Sequence, residues 1–304
     1  MLRCPQSGEA LRLDGNELLS ELGENRYQID ENGIPLFADE FCSAEALIQQ
    51  NHYDKIADAY ADNLQYPHTL EYMSYLDNAL REVVEITELG TCAEICCGTG
   101  EAFALFHESI ATGLGVDVST SMLRKGQVAF NNSKLHFVQG DATRLPIADE
   151  CVDSVLMLGG IHHVPDREAL FQQLFRVLKP GGVFIWREPV SDFWLWRILR
   201  SIVYRLSPIL DHATERPLLY EETVPVLEGV GFSVKEWNTV GFLGFCIFMN
   251  SDVLFFNRMF RFIPGIRGIT RAFARFDDWC TRLPGMRRSG LQVIGMAVKA
   301  GSGD

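Results

Sequence analysis

The chain has 304 residues, 47% of them hydrophobic, and a formal net charge of −13 at pH 7. The hydrophobic share suits a globular protein with a sizeable core, and the negative charge argues against nonspecific binding of the whole surface to nucleic acid or anionic membrane. No apolar stretch reaches the ~20 residues that span a bilayer. The eight cysteines show no disulfide-framework spacing, and the chain starts without an apolar secretion segment. We therefore expect an intracellular protein with reduced thiols.

The first 40 residues are rich in turns, end in Gly33-Ile34-Pro35-Leu36-Phe37, and predict a small β unit. This segment resembles zinc-ribbon-like modules, whose pattern opens with Cys-Pro-x-Cys. The second cysteine of that pattern is Ser7 here, and only Cys4 remains as a ligand in the segment. Because tetrahedral zinc needs four ligands, we expect the shape of the module without a metal. The predicted division is a degenerate ribbon-like unit over residues 1–40 and one larger domain over residues 41–304.

From Ser43 to about Arg81 the pattern is helical, and strands and helices alternate after it. The predicted strands are residues 92–97, 113–118, 135–139, 152–158 and 183–187, and the predicted helices between them are residues 101–111, 119–130 and 166–178. Asp166 can cap the last of these helices, and Lys179-Pro180-Gly181-Gly182 can stop it. Single helices between strands predict a parallel, doubly wound sheet. Further strands are expected near residues 232–239 and 291–298.

The first strand of this series runs directly into Gly98-Thr99-Gly100 and then into a helix. Two glycines let the backbone turn sharply close to a ligand, and the helix start supplies unpaired N–H groups. The second strand ends in Asp117, at the spacing of a carboxylate that binds the ribose of a nucleotide cofactor. A dinucleotide fingerprint needs a third glycine where this chain has Phe103, which disfavours a pyrophosphate site. The third strand ends in Asp141, where an adenine amine could donate to it.

The ordered set of these motifs resembles class I S-adenosylmethionine-dependent methyltransferases, and more generally proteins similar to ubiquinone and menaquinone methyltransferases. The resemblance covers roughly residues 50–190 and the terminal strand. It implies an α/β, Rossmann-like, doubly wound sheet of seven strands, mostly parallel with an antiparallel terminal strand, and S-adenosylmethionine as cofactor. The cofactor-binding residues that it implies are Tyr60, Glu94, Gly98, Thr99, Gly100, Asp117, Val118, Met122, Asp141, Ala142 and Leu158. By the same resemblance Met122 would lie beside adenine, and Tyr60 would close over the methionine end.

His162 and His163 follow the fourth predicted strand, at the position that faces the methyl donor in this family. Methyl transfer is an in-line displacement in which positioning dominates, and a base is needed only if the acceptor must lose a proton. Histidine has an unperturbed pKa of ~6.5, which suits that task. The alternative is that one histidine packs against the cofactor and orients the loop. Glu188 and Asp192, after the fifth strand, are further candidates near the same rim.

Two acceptor-side inserts are expected, residues 190–220 and 241–290, and both carry a net positive charge in an otherwise acidic chain. The predicted helix over residues 193–206 is basic and amphipathic, and residues 241–290 contain eight arginines against three aspartates. Such a basic, aromatic surface suits a lipid-like or polyprenyl acceptor, an anionic head group or a membrane face. Alternatively, the apolar faces pack on the core and the arginines are solvated or paired. The candidate residues on the acceptor side are Glu188, Asp192, Trp194, Arg197 and Arg200.

These features predict a cytoplasmic, membrane-peripheral methyltransferase that acts on a hydrophobic small molecule or a lipid- or isoprenoid-type acceptor, without a metal and without a nucleic-acid partner. Two alternatives remain open at this point. One is RNA methylation, because certain ribosomal RNA methyltransferases carry an N-terminal zinc ribbon. The other is a non-catalytic domain that binds the cofactor as a scaffold or activating partner.

Overall fold

The computed structural model describes residues 1–38, 43, 46–48, 50, 65–84, 88–130, 134–199, 216–249 and 255–301. It begins with a small antiparallel sheet made of β1 (Leu11–Asp14), β2 (Glu17–Ser20) and β3 (Arg26–Gln28), in that order. The Cys4 thiol lies inside this unit, 3.1 Å from the hydroxyl of Tyr27, and accepts a hydrogen bond from the Ser7 N–H. The small β unit that the turn pattern predicts is therefore present, while its relationship to zinc ribbons stays a prediction.

The main sheet contains seven strands. They are β4 (Gly90–Ile95), β5 (Ile110–Asp117), β6 (Leu135–Gln139), β7 (Val152–Leu158), β8 (Leu178–Pro189), β9 (Phe232–Val240) and β10 (Gln292–Lys299). Their order is β6-β5-β4-β7-β8-β10-β9. The first five are mutually parallel, and β10 is antiparallel to both β8 and β9. The predicted seven-stranded sheet with an antiparallel terminal strand is confirmed.

Helices connect the strands. They are α1 (Pro67–Val83), α2 (Glu101–Phe106), α3 (Thr120–Ala129), α4 (Arg167–Val177), α5 (Tyr220–Val230), α6 (Leu243–Phe248) and α7 (Ile266–Arg282), with short 3-10 helices at Ile161–His163 and Phe255–Phe262. The sheet has an apolar core on each face, and successive residues of one strand belong to different cores: Val155 contributes to one and Leu156 to the other. Continuous apolar strands such as β7 are typical of parallel sheets covered on both faces.

The largest differences from the sequence-based element boundaries occur at two places. The helix expected over residues 101–111 ends at Phe106, because Ile110 already pairs with Gly90 in the sheet. The turn Lys179–Gly182 lies within the bounds of β8 and forms an irregularity in its pairing with β7, since Leu178 and Val183 are its flanking partners. The cap predicted for α4 is confirmed: the Asp166 carboxylate accepts a hydrogen bond from the Ala169 N–H at 3.0 Å.

The N-terminal unit is attached to the outer side of β6. Gln139, the last residue of β6, donates its N–H to the carbonyl of Pro35 at 2.9 Å and accepts a hydrogen bond from the Phe37 N–H at 3.1 Å. An ion pair of 2.9 Å between Asp30 and Arg124 joins the same unit to α3. The unit therefore covers an edge strand that would otherwise present unpaired main-chain groups to solvent.

The insert between β9 and β10 packs against α1 through a third apolar cluster that includes Tyr72, Phe248 and Ile266. Its centre is the buried Asp277 of α7, which accepts hydrogen bonds from the Tyr72 hydroxyl and from the N–H groups of Phe242, Gly244 and Phe245. These bonds fix the start of α6 against α1 and α7. Over the described part of the chain, no helix combines the length and apolar character needed to cross a membrane.

Candidate cofactor and acceptor site

A cavity of about 980 Å³ opens at the carboxyl ends of β4, β5, β6 and β7. In open α/β sheets this edge is the usual place for ligands. Its volume lies at the upper end of the range of about 300–1,000 Å³ for small-molecule sites, which leaves space for a nucleotide-like cofactor and part of a second molecule. The contributing segments are residues 96–101, 116–118, 140–144 and 158–160, together with α1.

The turn after β4 forms the floor of the cavity and is tightly constrained. Gly98 and Gly100 have positive φ angles of +52° and +89°, and the non-glycine residue Cys96 also has a positive φ, +52°. A left-handed backbone at a non-glycine residue costs on the order of 1–3 kcal/mol, so the surroundings must hold Cys96 in place. A Cβ on Gly100 would lie 2.8 Å from the ring of Phe130, which explains the need for glycine there. Burial raises the pKa of the Cys96 and Cys97 thiols well above the usual range, which keeps them neutral.

Glu94 stands behind this turn and does not line the cavity. Its buried carboxylate accepts hydrogen bonds from the N–H groups of Ala102 at 2.8 Å and Phe103 at 3.0 Å, and so holds the start of α2. Burial raises its pKa to about 8, although these two donors act in the opposite direction. In this structure Glu94 positions the turn and does not line the cavity, and its role in cofactor binding stays a prediction.

Asp117, at the end of β5, is held by main-chain donors on both oxygens. The Gly98 N–H donates to Oδ2 at 2.8 Å, and the Ser119 N–H donates to Oδ1 at 2.9 Å. Ser119 in turn caps α3 by accepting a hydrogen bond from the Met122 N–H. Asp117, Val118 and Met122 all line the cavity. An ionised carboxylate has about four acceptor sites, so Asp117 can accept ribose hydroxyls in addition to these fixed donors.

Asp141, after β6, is fixed in the same way on the other side of the cavity. It accepts hydrogen bonds from the Ser43 N–H at 2.9 Å, the Thr143 N–H at 2.8 Å and the Thr143 hydroxyl at 2.7 Å. Burial would raise the pKa of Asp141, but these hydrogen bonds outweigh burial and lower it. The carboxylate is therefore ionised at neutral pH and suited to accept an amine donor. Ala142 beside it and Leu158 at the end of β7 also line the cavity.

The two histidines after β7 have different surroundings. The buried carboxylate of Glu188 accepts hydrogen bonds from the N–H groups of Gly160 at 2.6 Å and Ile161 at 2.8 Å, and lies 2.8 Å from Nδ1 of His162. His163 lines the cavity, whereas His162 and Glu188 do not. The two imidazole rings are in contact, with centroids 3.8 Å apart. Of the sequence-predicted catalytic candidates, the structure brings His163 to the ligand space and places His162 and Glu188 behind it.

Three further acceptor-side candidates, Asp192, Trp194 and Arg197, do not line the cavity. Asp192 accepts hydrogen bonds from the Tyr220 N–H at 2.7 Å and the Trp237 indole at 3.2 Å, and thus joins α5 to the sheet. Arg197 donates from Nε to the Ser191 carbonyl at 2.7 Å, and Trp194 is exposed. A role of these three side chains toward the acceptor stays a prediction. Tyr60 and Arg200 lie outside the described residues.

A buried charge cluster beside the glycine turn was not predicted from the sequence. Arg187 of β8 forms ion pairs with Asp77 of α1 at 2.7 Å and with Glu101 at the start of α2. Burial would lower the pKa of Arg187, but attraction by Glu101 and Asp77 outweighs burial and raises it. Asp77 and Glu101 both line the cavity. The three residues are far apart in sequence and match no motif, so no local signal could have identified them.

The rest of the cavity wall is largely apolar. It is formed by side chains of α1, α2, the end of α3 and the loop after the histidines: Leu70, Met73, Ala104, Ala129, Val164 and Pro165. Leu70 is also 41% exposed, so the α1 wall reaches the protein surface. An apolar wall with few polar groups suits a hydrophobic second ligand.

This geometry defines a Rossmann-like domain with a nucleotide-cofactor site. The residues fit S-adenosylmethionine. The carboxylates of Asp117 and Asp141, each held by main-chain donors, lie on either side of the glycine turn, and the turn has no room for a side chain at Gly100. Residues 93–186 match the family model described as "Methyltransferase domain". The chain thus carries the domain of an S-adenosylmethionine-dependent methyltransferase, with S-adenosylmethionine as its cofactor.

Known proteins similar to the chain include quinone methyltransferases. It is 28% identical over 174 residues to the ubiquinone/menaquinone biosynthesis C-methyltransferase of Campylobacter jejuni, covering 49% of this chain and 73% of that protein. It is 34% identical over 113 residues to the demethylmenaquinone methyltransferase of Desulfitobacterium hafniense, covering 34% of this chain and 44% of that protein. The chain therefore matches less than half the length of the second relative.

A solved S-adenosylmethionine-dependent methyltransferase of Thermotoga maritima has the same fold. Its TM-score is 0.54 at 18% sequence identity, over 82% of this chain and 99% of that one. At this identity the likeness concerns the fold alone, which many different activities share.

Proposed function

We propose that the chain methylates a hydrophobic acceptor of the quinone type, using S-adenosylmethionine. The observation that carries this proposal is that one cavity is lined both by the oriented carboxylates Asp117 and Asp141 and by apolar side chains that include Leu70 and Met73. We call the part with the two carboxylates the cofactor half and the part with Leu70 and Met73 the acceptor half. The names of the two relatives support the same acceptor class. When bound, the cofactor supplies an electrophilic methyl group on a sulfonium, and the residues of the chain bind it, orient the acceptor and exclude water.

The cofactor-binding roles follow from the fixed acceptors. Asp117 would accept hydrogen bonds from ribose hydroxyls, and Asp141 would accept one from the adenine amine, with Met122 and Ala142 as apolar contacts. Residues 98–100 would surround the amino-acid part of the cofactor. Asp77 and Glu101 stand beside this turn and would accept hydrogen bonds from the ammonium group, with Arg187 holding both carboxylates in position.

His163 would act on the acceptor. A hydroquinone-type ring becomes more nucleophilic at carbon when a ring hydroxyl loses its proton, so a base beside the acceptor promotes its methylation. His163 is the imidazole that lines the cavity, and the pair of His162 and Glu188 orients the turn that carries it. The alternative role of His163, packing against the cofactor without proton transfer, gives a different kinetic result and is tested below.

We also propose the domain division predicted from the sequence, with residues 1–40 as a separate small unit and residues 41–304 as the transferase domain. The three-stranded sheet of β1, β2 and β3 supports it, because this sheet is separate from the seven-stranded one, while Cys4, Tyr27 and Phe37 pack into the apolar core of the larger domain. Limited proteolysis with mass analysis of the fragments checks this division. A first cleavage within residues 1–38, instead of at the boundary, would contradict it.

The test of the proposed function is a reaction of the purified chain with S-adenosylmethionine and a demethylated naphthohydroquinone bearing a short isoprenoid tail. We expect the quinone to gain one methyl group, as detected by mass spectrometry, and the gain to be suppressed by S-adenosylhomocysteine. Cofactor binding is measured separately by calorimetry. Binding without transfer to quinone, phenol or lipid acceptors would contradict the proposal and favour a scaffold, and transfer to RNA alone would replace it by the RNA alternative.

A further inference from the structure

The insert between β9 and β10 exposes a row of large apolar side chains. The helix α7 buries one face, which carries Ile266, Ala274 and Asp277, against α1 and α6. With 3.6 residues per turn, its exposed apolar residues fall together on a second face. The exposed apolar side chains of α7 and of residues 259–263 before it are Met259, Phe262, Ile263, Ile269, Phe276 and Trp279, with exposed fractions of 41–64%. We call these six residues the insert surface.

Arginines lie on α7 and in the segment before it: Arg261 lies over the ring of Phe262, Arg275 is about 40° around the helix from Trp279, and Arg267 is about 120° from Trp279 on the solvent-exposed side. On α7, Arg267 and Arg275 are exposed and have no carboxylate within 4.0 Å among the residues that the structure describes, whereas Arg271 pairs with Glu71 and Arg282 with Asp278. The sequence of the insert, residues 241–290, has eight arginines and three aspartates in a chain whose net charge is −13. A partner of the insert surface should therefore be anionic.

A single exposed apolar side chain is ordinary, but a contiguous set bordered by basic residues marks an interaction site. Aromatic and aliphatic residues on one face of a helix with arginines beside them are typical of helices that lie in a membrane interface. The aromatic rings bury in the boundary between head groups and acyl chains, while the guanidinium groups contact lipid phosphates. An acidic protein partner would satisfy the arginines but would not need an apolar row.

The insert surface is next to the apolar wall of the cavity. The guanidinium of Arg261 lies 5.3 Å from the ring centre of Tyr66 and 4.7 Å from that of Phe262. Tyr66 immediately precedes α1, whose residues Leu70 and Met73 line the cavity, and Leu70 is partly exposed. The contact between Arg261 and Tyr66 thus connects the insert surface to the wall at which the cavity reaches the protein surface.

We infer that the insert surface docks on an anionic lipid bilayer and that this docking turns the α1 wall of the cavity toward the membrane. A hydrophobic acceptor then enters the cavity from the lipid phase along Leu70 and Met73 without crossing water. The proton and methyl chemistry is unchanged by docking. This inference rests on the proposed function for the identity of the acceptor, but the docking itself is measured without any methyl transfer.

The test is cosedimentation of the full chain with phosphatidylcholine vesicles that contain or lack phosphatidylglycerol. We expect binding to the anionic vesicles that weakens with salt and is much weaker without phosphatidylglycerol. Because each basic residue near an anionic surface contributes about 1 kcal/mol, Arg267→Glu combined with Arg275→Glu should lower binding at least about tenfold. The matched control is Arg12→Glu combined with Arg26→Glu, at exposed arginines of the N-terminal unit, which should bind as the unchanged chain does.

The apolar part of the surface is tested by Phe276→Ser combined with Trp279→Ser. Loss of two interfacial aromatic rings should lower vesicle binding at least about tenfold, whereas Leu13→Ser combined with Leu22→Ser, at exposed positions far from the insert, should leave it unchanged. Calorimetric S-adenosylmethionine binding verifies that each variant is folded. If the variant with both aromatic substitutions does not fold, the variant with both arginine substitutions decides the test. The inference is overturned if the unchanged chain does not bind anionic vesicles, or if both insert variants bind them as tightly as the unchanged chain does.

Failure of the docking inference and failure of the proposed function give different experimental results. A chain that methylates a short-tailed quinone in solution but does not bind vesicles retains the proposed function and loses the docking. A chain that binds anionic vesicles through the insert surface but methylates no quinone retains the docking and loses the acceptor.

Discussion

The two halves of the cavity are built from different interactions. In the cofactor half, Asp117 and Asp141 each accept two main-chain N–H groups, so their positions are set by the backbone of the sheet edge. In the acceptor half, Leu70 and Met73 present apolar surface, and His163 is the group suited to proton transfer. Oriented hydrogen-bond acceptors reject ligands that lack the matching donors, whereas apolar walls discriminate weakly between ligands of similar shape. Under the proposed function, we therefore expect the cofactor half to be specific for one ligand and the acceptor half to select a class of acceptors.

Removal of the imidazole tests the acceptor half. If His163 is the general base, His163→Ala should lower kcat by about 10²–10⁴ while S-adenosylmethionine affinity stays within about twofold. Steady-state kinetics with the quinone acceptor and calorimetry with the cofactor measure the two effects. The control is His107→Ala, whose side chain is 62% exposed. A loss of cofactor affinity with unchanged kcat would assign His163 to packing against the cofactor.

The cofactor half is tested by removing its ribose-side acid. Asp117→Ala deletes the acceptor of two ribose hydrogen bonds, and bonds to a charged group contribute about 1.5–3 kcal/mol each. Cofactor affinity should fall at least about 100-fold in calorimetry. Asp149→Ala is the matched control, since this carboxylate is 73% exposed and lies outside the cavity. An affinity close to that of the unchanged chain would remove Asp117 from the cofactor site.

A methyl group at the glycine turn tests its rigidity. Gly100→Ala adds a Cβ 2.8 Å from the Phe130 ring at φ +89°, whereas Gly285→Ala adds one at φ +79° with no neighbour within 4 Å. The backbone cost is similar at both positions, and the contact with Phe130 is an extra cost at Gly100. We expect cofactor affinity to fall about tenfold in Gly100→Ala and to remain unchanged in Gly285→Ala. Equal affinities would show that the turn moves without consequence for the ligand.

The pH dependence of stability tests the buried support of the turn. Because the folded-state pKa of Glu94 is raised from 4.5 to about 8, the folded chain binds this proton more tightly than the unfolded chain. The stabilisation is complete below the unfolded pKa and is lost as the pH rises to about 8. The free energy of unfolding should therefore fall, relative to Glu94→Gln, by roughly 1 kcal/mol for each pH unit in this window. Denaturant titrations at several pH values measure it, and parallel curves for both chains would contradict the raised pKa.

Much of the fold was predictable because its signals are local. Strand positions, the cap by Asp166 and the glycine turn each depend on a few neighbouring residues, and their order along the chain indicated the parallel sheet. The end of α2 was missed because Ile110 is recruited into the sheet by its partner Gly90, which is a tertiary effect. Asp117 and Asp141 were predictable for the same local reason, as they end consecutive strands.

The parts of the site that could not be predicted depend on contacts between distant residues. His162 and His163 are neighbours in the sequence, and the tertiary structure distinguishes them: His162 contacts Glu188, and His163 lines the cavity. Glu94 fits the family pattern, but its role behind the turn follows from its contacts with Ala102 and Phe103. Arg187 meets Asp77 across 110 positions of sequence, at a place that no spacing rule describes.

The attachment of the N-terminal unit has a consequence for any shortened form of the chain. Gln139 shares two main-chain hydrogen bonds with Pro35 and Phe37, and the Ser43 N–H is one of the donors to Asp141. A transferase domain cut free of its first 43 residues would leave the main-chain groups of Gln139, at the end of β6, open to pairing with other molecules. It would also lose the Ser43 N–H, one of the donors that lower the pKa of Asp141 and keep it ionised. We therefore expect removal of the first 43 residues to lower both the solubility of the transferase domain and its affinity for the cofactor.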